Sequence, residues 1–296
     1  MNFLSLFYYL FIFIFGLAIG SFLNCVIYRM ELQEDMPKGS PKRKAVSFLR
    51  GKSFCPHCKH RLSWSDLIPV FCFLFLKGKC RYCSKKISWQ YPVVEILTGL
   101  IFLLIFNRFG VIPNLIGNPG TSQALWIPAF AGMTAYLFFL FYIVSALIII
   151  FVYDLKHYII PDRVLFPAIA IVFLYRLFEN LVIGNWSLGI VNFILAGLGA
   201  CAFFLFFFLV SGGRWMGFGD VKLAFFMGLF LGYPNILVAL FLAFFLGAII
   251  GVGLIVFGNK NLKSEIPFGP FLIIGTIVAL LYGQEIIQWY LRLFII

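Results

Sequence analysis

Residues 188–210 read LGIVNFILAGLGACAFFLFFFLV and contain no charged side chain. A transmembrane helix needs about 20 consecutive, mostly apolar residues, so a run of this kind is expected to cross a bilayer. The whole chain has the same character, because 62% of its 296 residues are hydrophobic, 11% are charged and the mean hydropathy is +1.02. Soluble proteins carry about 25% charged residues. The composition predicts an all-α polytopic membrane protein and excludes secreted disulfide scaffolds, disordered chains and nucleic-acid binders.

Seven further apolar segments lie on either side of this run, which makes eight predicted spans. They cover residues 4–28, 92–107, 135–153, 164–183, 221–232, 234–257 and 267–291. The segment 221–232 is short, and a tilted or partly re-entrant helix is the alternative there. Residues 108–134 contain several prolines and glycines, and we interpret them as an external loop insertion.

Positive charge is concentrated in residues 29–91, which hold 14 basic and four acidic residues and account for +10 of the net charge of +12. Basic segments beside spans remain on the cytosolic side. The sequence therefore predicts a first transmembrane helix (1–28), a basic cytosolic domain (29–91) and a seven-helix membrane domain (92–296). We interpret the basic charge as a topology signal and as a contact to anionic lipid head groups. A cleaved signal peptide, the alternative for 1–28, would begin with a basic region that is missing here.

Four cysteines of the basic domain form two close pairs in the pattern C-x2-C-x21-C-x2-C. They are Cys55, Cys58, Cys80 and Cys83. Four thiolates in two pairs make a tetrahedral site that structural Zn2+ favours. Two disulfides are the alternative, which a reducing cytosol disfavours. Two histidines adjoin the pairs as possible substitute ligands, His57 and His60, whereas the remaining cysteines, Cys25, Cys72 and Cys201, are interpreted as small hydrophobic residues.

Two aspartates at predicted membrane edges are the candidate catalytic residues. Asp154 ends one span in the sequence FVYDLK, and Asp220 begins another in GFGDVKL. Ionisable side chains beside or within spans are rare and mark functional sites. Two carboxylates brought together share a proton, so one can act as general base on a water while the other donates to a substrate carbonyl. Gly217 and Gly219 would let a substrate strand approach the backbone closely.

The structural alternative is that each aspartate caps a helix or pairs with a nearby lysine. Asp162 is the nearest competitor for a catalytic role. Its position in Ile160-Pro161-Asp162 suits the start of a helix, so we predict a capping role for it.

These segments together resemble the bacterial type IV prepilin peptidases, also called prepilin leader peptidase/N-methyltransferases. The resemblance rests on GSFLNCVIYR (20–29), SFCPHC (53–58), LSWSDLIP (62–69), KGKCRYC (77–83), ISWQYP (87–92), Glu95, DLK (154–156), IPD (160–162), GFGDVKL (217–223) and PFGP (267–270). It covers almost the whole chain except residues 108–134.

The resemblance implies an aspartic endopeptidase of the bacterial inner membrane with Asp154 and Asp220 as its catalytic pair, facing the cytosol. Such enzymes remove the basic leader of prepilins and pseudopilins, after a glycine and before a hydrophobic residue. The four-cysteine insert resembles that of bifunctional members, which also methylate the new N-terminal amine with S-adenosylmethionine. The residues that would bind this cofactor are not identified. Candidates are 20–24, the metal domain and Glu95, although Asn24 suits an interhelical hydrogen bond equally well and Glu95 suits a helix-start or ion-pair role.

Three function hypotheses follow. The first is a peptidase with methyltransferase activity, and the second is a peptidase in which the cysteine domain is only structural. The third is a transporter with a zinc regulatory domain, which is disfavoured because the acids lie at one membrane edge rather than near its middle. Residues 267–270 either shape a substrate groove or only begin the last span. The sequence specifies neither a particular pilin nor an oligomeric state.

Overall fold

The computed structural model describes residues 3–34, 36–37, 53–110, 123–183, 189–256 and 266–294. Its helices are α1 (Phe3–Glu34), α2 (Phe71–Phe75), α3 (Gln90–Phe109), α4 (Gln123–His157), α5 (Asp162–Ile183), α6 (Gly189–Ser211), α7 (Phe218–Leu231), α8 (Asn235–Val256) and α9 (Gly269–Phe294). A short 3-10 helix covers Trp64–Leu67. Among the described residues there is no β-strand, and only two isolated bridges occur, Phe54 with Arg61 and Lys79 with Lys86.

Seven of these helices are long and apolar enough to cross a membrane: α1, α3, α4, α5, α6, α8 and α9. The predicted all-α polytopic fold is therefore confirmed. The one remaining predicted span, 221–232, corresponds to α7, which has 14 residues. At 1.5 Å per residue α7 is about 21 Å long, shorter than the hydrocarbon core of about 30 Å.

Polar side chains hold the end of α7. Arg176 of α5 donates to the carbonyl of Phe230 at 2.7 Å, and its guanidinium lies 3.8 Å from the centre of the Phe193 ring. Asn192 of α6 donates to the Tyr233 carbonyl and accepts from the Tyr233 N–H, both at 3.0 Å. Non-helical backbone at membrane depth must find protein partners because lipid offers none. These contacts explain how α7 ends early.

Helix α4 begins at Gln123, twelve residues before the predicted span at 135. The last part of the predicted 108–134 loop is thus helical in the structure, while residues 111–122 lie outside the described residues. The sequence ALWIPAFAGM (124–133) is rich in alanine and large apolar residues, which permit a helix despite Pro128. The prolines and glycines dominated the prediction, but five of them lie within 110–120 and only Pro128 and Gly132 lie in the helical part.

The chain divides into two compact units, Met1–Ile149 and Ile150–Ile296. In the first unit α1 packs closely on α3: a Cβ added at Gly16 would lie 2.7 Å from the Gly99 Cα, and one at Gly20 would lie 2.7 Å from the Glu95 Cα. Small residues at such positions let two helix backbones approach. The Phe102 and Phe141 rings stack at 4.2 Å in the same unit.

In the second unit, glycines likewise let helix backbones approach each other closely. Gly228 of α7 lies against the Ala196 carbonyl of α6, and Gly275 of α9 lies against the Ala239 carbonyl of α8, so that a Cβ at either glycine would overlap the neighbouring backbone. This close packing fixes α7 and α9, whose first turns contribute to the candidate site.

Candidate active site and metal centre

Asp154 lies one turn before the end of α4 and is buried. Its carboxylate accepts a hydrogen bond from the backbone N–H of Gly269, the first residue of α9. The end of α4 and the start of α9 are thereby joined at the Asp154 carboxylate. Because the N-terminal N–H groups of a helix have no partners inside the helix, they are natural donors to an anion.

Asp220 is the third residue of α7 and is also buried. Its carboxylate accepts from the backbone N–H of Gly217 at 3.3 Å, which closes the turn before the helix. Asp220 lies close enough to Asp154 for the two carboxylates to interact electrostatically. The structure therefore brings together the two aspartates that the sequence analysis selected.

Three glycines in two segments, Gly217, Gly219 and Gly269, lie beside this pair. A Cβ added at Gly269 would lie 2.5 Å from Asp154 Oδ2 and 3.6 Å from Ile160 Cδ1, while one at Gly219 would lie 3.1 Å from Ile160 Cβ. Ile160 is thus packed between the Gly217–Asp220 turn and the start of α9. The sequence analysis left residues 267–270 undecided, and the structure shows both that they begin the last helix and that Gly269 contacts Asp154. The one available signal was the Gly-Pro pair, since proline is tolerated in a first turn, where its missing N–H is not needed.

Asp162 has a different role from the pair. It is the first residue of α5, and its carboxylate forms an ion pair with the Lys222 ammonium of α7. The ammonium also lies 5.6 Å from the Phe166 ring and 5.5 Å from the Phe218 ring. Asp162 therefore links α5 to α7, a contact between helices that its predicted capping role did not include.

The four cysteines of the two pairs form one cluster. Their sulfur atoms all lie within 4.8 Å of one another, and the Sγ atoms of Cys55 and Cys83 are 3.9 Å apart. A tetrahedral zinc site with Zn–S bonds of 2.3 Å would place its sulfurs about 3.8 Å apart. The cluster could hold a metal ion of this kind, and all four thiols are unbridged.

The two cysteine pairs have the same local structure, which is why they can meet in one cluster. The N–H of Lys59 bonds the Cys55 carbonyl at 3.0 Å, and the N–H of Ser84 bonds the Cys80 carbonyl at 2.9 Å. Lys59 and Ser84 both have left-handed backbones, with φ of 57° and 56°. The His60 ring lies 3.7 Å from the Tyr82 ring and links the two turns, whereas His57 and His60 are both exposed and outside the cluster.

The electrostatics of the cluster favour a thiolate at Cys55. Burial alone would raise the pKa of this thiol, but hydrogen bonds with the backbone of Cys58 and His57 and with neighbouring thiols lower it to about 7. At Cys83 a backbone hydrogen bond with Lys85 is outweighed by desolvation and by contacts with the other three thiols, which raise its pKa to about 11.

Asp66 ties the segment between the cysteine pairs to the second pair. It accepts from the Ser63 backbone at 3.1 Å and the Ser63 hydroxyl at 2.8 Å, and from Tyr82, and it pairs with Arg81 at 3.0 Å. Burial opposes the ionised form, but these partners outweigh it and lower the pKa of Asp66. Asp66 is thus a structural anion.

A buried polar cluster lies between α1 and α3. Asn24 donates to the Tyr91 carbonyl at 3.0 Å, which is the interhelical hydrogen bond that the sequence left open beside a functional role, and among the described residues its Oδ1 has no partner. Glu95 accepts from the Val70 N–H at 2.8 Å and from the Ser21 hydroxyl. The sequence analysis missed the contact with Val70, which joins α3 to the segment between the cysteine pairs.

Two protein families match the chain, one in each half. The Bacterial Peptidase A24 N-terminal domain matches residues 14–109, and the Type IV leader peptidase family matches residues 141–252. No solved structure matches the chain.

Curated relatives match nearly the whole length. A prepilin leader peptidase/N-methyltransferase of Aeromonas hydrophila is 33% identical over 97% of this chain and 95% of its own length. Proteins of the same name from Bacillus subtilis and Legionella pneumophila are each 31% identical, over 95% and 96% of this chain and 97% and 95% of their own lengths. The matched ranges contain the positions of the cysteine cluster and of the aspartate pair, and the protein belongs to the type IV leader peptidase family.

Proposed function

We propose that this protein removes the leader peptide from type IV prepilins and pseudopilins and then N-methylates the new N-terminal residue. The observation that carries the peptidase assignment is the pairing of two buried carboxylates, Asp154 and Asp220, each bonded by the backbone N–H of a neighbouring glycine. The full-length similarity to prepilin leader peptidase/N-methyltransferases supports the same reaction.

In this mechanism the two carboxylates share one proton. The ionised aspartate takes a proton from water as the oxygen adds to the scissile carbonyl carbon, and the protonated aspartate donates to the carbonyl oxygen. The tetrahedral intermediate then collapses and the C–N bond breaks. The leaving amine takes the proton that the first aspartate removed from water, and the second aspartate takes a hydroxyl proton as the carbonyl forms, so that the pair again shares one proton. The N–H groups of Gly269 and Gly217 orient the two carboxylates during these steps.

The membrane orientation follows from the positive-inside rule. Asp154 precedes the connection 158–161, and Asp220 follows the connection 212–217, both on the side that the basic segment 29–91 is expected to occupy. We therefore place both aspartates at the cytosolic face of the bacterial inner membrane. A prepilin has a basic cytosolic leader followed by an apolar helix, so its scissile bond would lie at this edge.

For the methyl transfer, S-adenosylmethionine would supply an electrophilic methyl group on a positively charged sulfur. The buried cluster of α1 and α3 fits a ligand of that charge, because Asn24 Oδ1 is an acceptor with no hydrogen-bond partner in the described part of the chain and Glu95 is a buried carboxylate. We assign Asn24 and Glu95 to holding the donor or the incoming amine, and the Cys55/Cys58/Cys80/Cys83 zinc site to holding the surrounding segment in shape.

The purified full-length protein, incubated in detergent with a prepilin with and without S-adenosylmethionine, tests the proposal by the mass of the product. We expect cleavage in both reactions and one methyl increment only with the cofactor. Asp154→Asn and Asp220→Asn should each reduce cleavage by about 10²–10⁴-fold. Asp162→Asn is the matched control, since it removes a carboxylate that pairs with Lys222 instead, and it should retain most of the activity.

Each outcome separates the hypotheses. Undiminished cleavage by either variant of the pair would refute the aspartic mechanism. Cleavage without methylation would leave a peptidase whose cysteine domain is only structural.

A further inference from the structure

The segment between the two cysteine pairs exposes large apolar side chains. Phe75 and Trp64 are each 82% exposed and Leu74 is 62% exposed. We call this surface the apolar ridge, and its residues are Trp64, Leu67, Ile68, Phe71, Leu74 and Phe75. Contiguous exposed apolar surface marks a site that contacts a membrane or another apolar surface.

The ridge lies beside the point where α3 begins its span. The ring of Phe73, within α2, packs against the Trp89 ring at 4.9 Å. Trp89 immediately precedes the span Gln90–Phe109 and is itself 72% exposed. Tryptophan at the end of a span is typical of the membrane–water interface, so α2 lies at the level of the lipid head groups.

A second contact places the start of α2 deeper in the membrane than the head-group level. The Val70 N–H, at the start of α2, donates to Glu95 at 2.8 Å. Glu95 is five residues inside the span, which is about 7.5 Å along the helix axis, while the interfacial layer on each side of the hydrocarbon is about 5–8 Å thick. Val70 and the first turn of α2 are therefore held at the boundary between head groups and acyl chains.

The charges around the ridge also suit a lipid surface. Two exposed lysines follow it directly in the chain, Lys77 and Lys79. The acid within it, Asp66, is paired with Arg81 and hydrogen-bonded by Ser63 and Tyr82. A surface with apolar side chains bordered by lysines binds the interface of a bilayer that contains anionic lipid.

We propose that the apolar ridge inserts into the head-group–acyl boundary of the same bilayer that α1 and α3 span. The cysteine domain then lies on the membrane surface and is held there by the ridge in addition to its two connections to the spans. This contact is independent of either enzymatic activity, because it requires only the position of the ridge relative to α3.

Fluorescence quenching in the full-length protein tests this placement. An environment-sensitive fluorescent amino acid is introduced at Phe75 in one sample and at Lys85 in a matched control, an exposed position in the same domain. Both proteins are placed in nanodiscs of phosphatidylethanolamine and phosphatidylglycerol, and zinc content and circular dichroism serve as checks of folding. Quenching is measured with brominated acyl chains and with aqueous iodide.

We expect the probe at 75 to show blue-shifted emission, to lose most of its intensity with brominated lipid and to resist iodide. The probe at 85 should emit at longer wavelength, resist brominated lipid and be quenched by iodide. Equal iodide quenching at both positions would place the ridge in water and overturn the proposal. Protection of position 75 from both quenchers would show that protein covers the ridge, and lipid quenching at both positions would show that the whole domain is embedded; either result also overturns it. If the probe at 75 prevents folding, position 74 replaces it, since Leu74 belongs to the same ridge.

Discussion

The four thiols of the cysteine domain lie on two turns that share one backbone hydrogen-bond pattern, Cys55–His60 and Cys80–Lys85. Both turns fall within about 30 residues of the chain. The aspartate pair is assembled from α4, α7 and the first residue of α9, which are separated by long stretches of chain. The first site is organised by local hydrogen bonds and can be completed by a metal. The second depends on the packing of whole helices. The two regions should therefore respond to different perturbations.

Loss of the metal gives the largest expected effect and should act on one region alone. A structural zinc ion contributes about 10–16 kcal/mol to the folding of small domains. Cys55→Ser combined with Cys80→Ser should remove bound zinc and abolish methylation, while prepilin cleavage remains. Zinc content and product mass measure the two effects. Cys201→Ser, a half-buried thiol outside the cluster, is the control, and an equal loss of cleavage would show that the two regions are not separable.

A single methyl group should disturb the aspartate site. In Gly269→Ala the new Cβ would lie 2.5 Å from Asp154 Oδ2, so the carboxylate must shift. A displacement of about 1 Å at a catalytic group can cost about 10²-fold in rate, and cleavage should fall by that order. Gly251→Ala is the matched control because no atom lies within 4 Å of its added Cβ. Unchanged cleavage by Gly269→Ala would argue against Asp154 as a positioned catalytic group.

The end of α7 should show a smaller effect, on stability. Arg176→Met keeps much of the side-chain volume but removes the charged donor to the Phe230 carbonyl. A hydrogen bond with a charged group contributes about 1.5–3 kcal/mol, so the thermal unfolding temperature in detergent should fall by several degrees. Arg292→Met, at the exposed end of α9, serves as the control. An unchanged unfolding temperature in Arg176→Met would mean that the packing of α6 on α7 is sufficient to hold the helix end.

The smallest expected effect is at the ion pair between α5 and α7. Asp162 and Lys222 are 52% and 22% exposed, and pairs that reach solvent contribute about 0–1 kcal/mol. Lys222→Met should lower the unfolding temperature only slightly, and the difference should shrink as salt is raised. A large salt-independent loss of stability would show instead that the contacts of the ammonium with the Phe166 and Phe218 rings contribute more than the ion pair.

Much of the architecture was predictable because it depends on single segments. Seven of the eight predicted spans match helices long enough to cross a membrane, since hydrophobicity over about 20 residues is sufficient to identify one. The cysteine spacing predicted the cluster because each pair forms its turn from adjacent residues. Asp154 and Asp220 stood out because charges are rare in the membrane domain.

Other features escaped prediction because they join segments far apart in the chain. The early end of α7 depends on Arg176 and Asn192 from two other helices. The start of α4 at Gln123 was hidden by the prolines and glycines beside it.

Composition, span length, charge distribution and cysteine spacing are properties of local sequence, and they were enough to indicate a polytopic helical protein with a four-cysteine domain and two notable aspartates. The hydrogen bonds from Gly269 to Asp154 and from Val70 to Glu95 exist only after the helices have packed. No local pattern encodes them, because each depends on the close approach of backbones that glycines permit and on which distant polar groups are then left to pair.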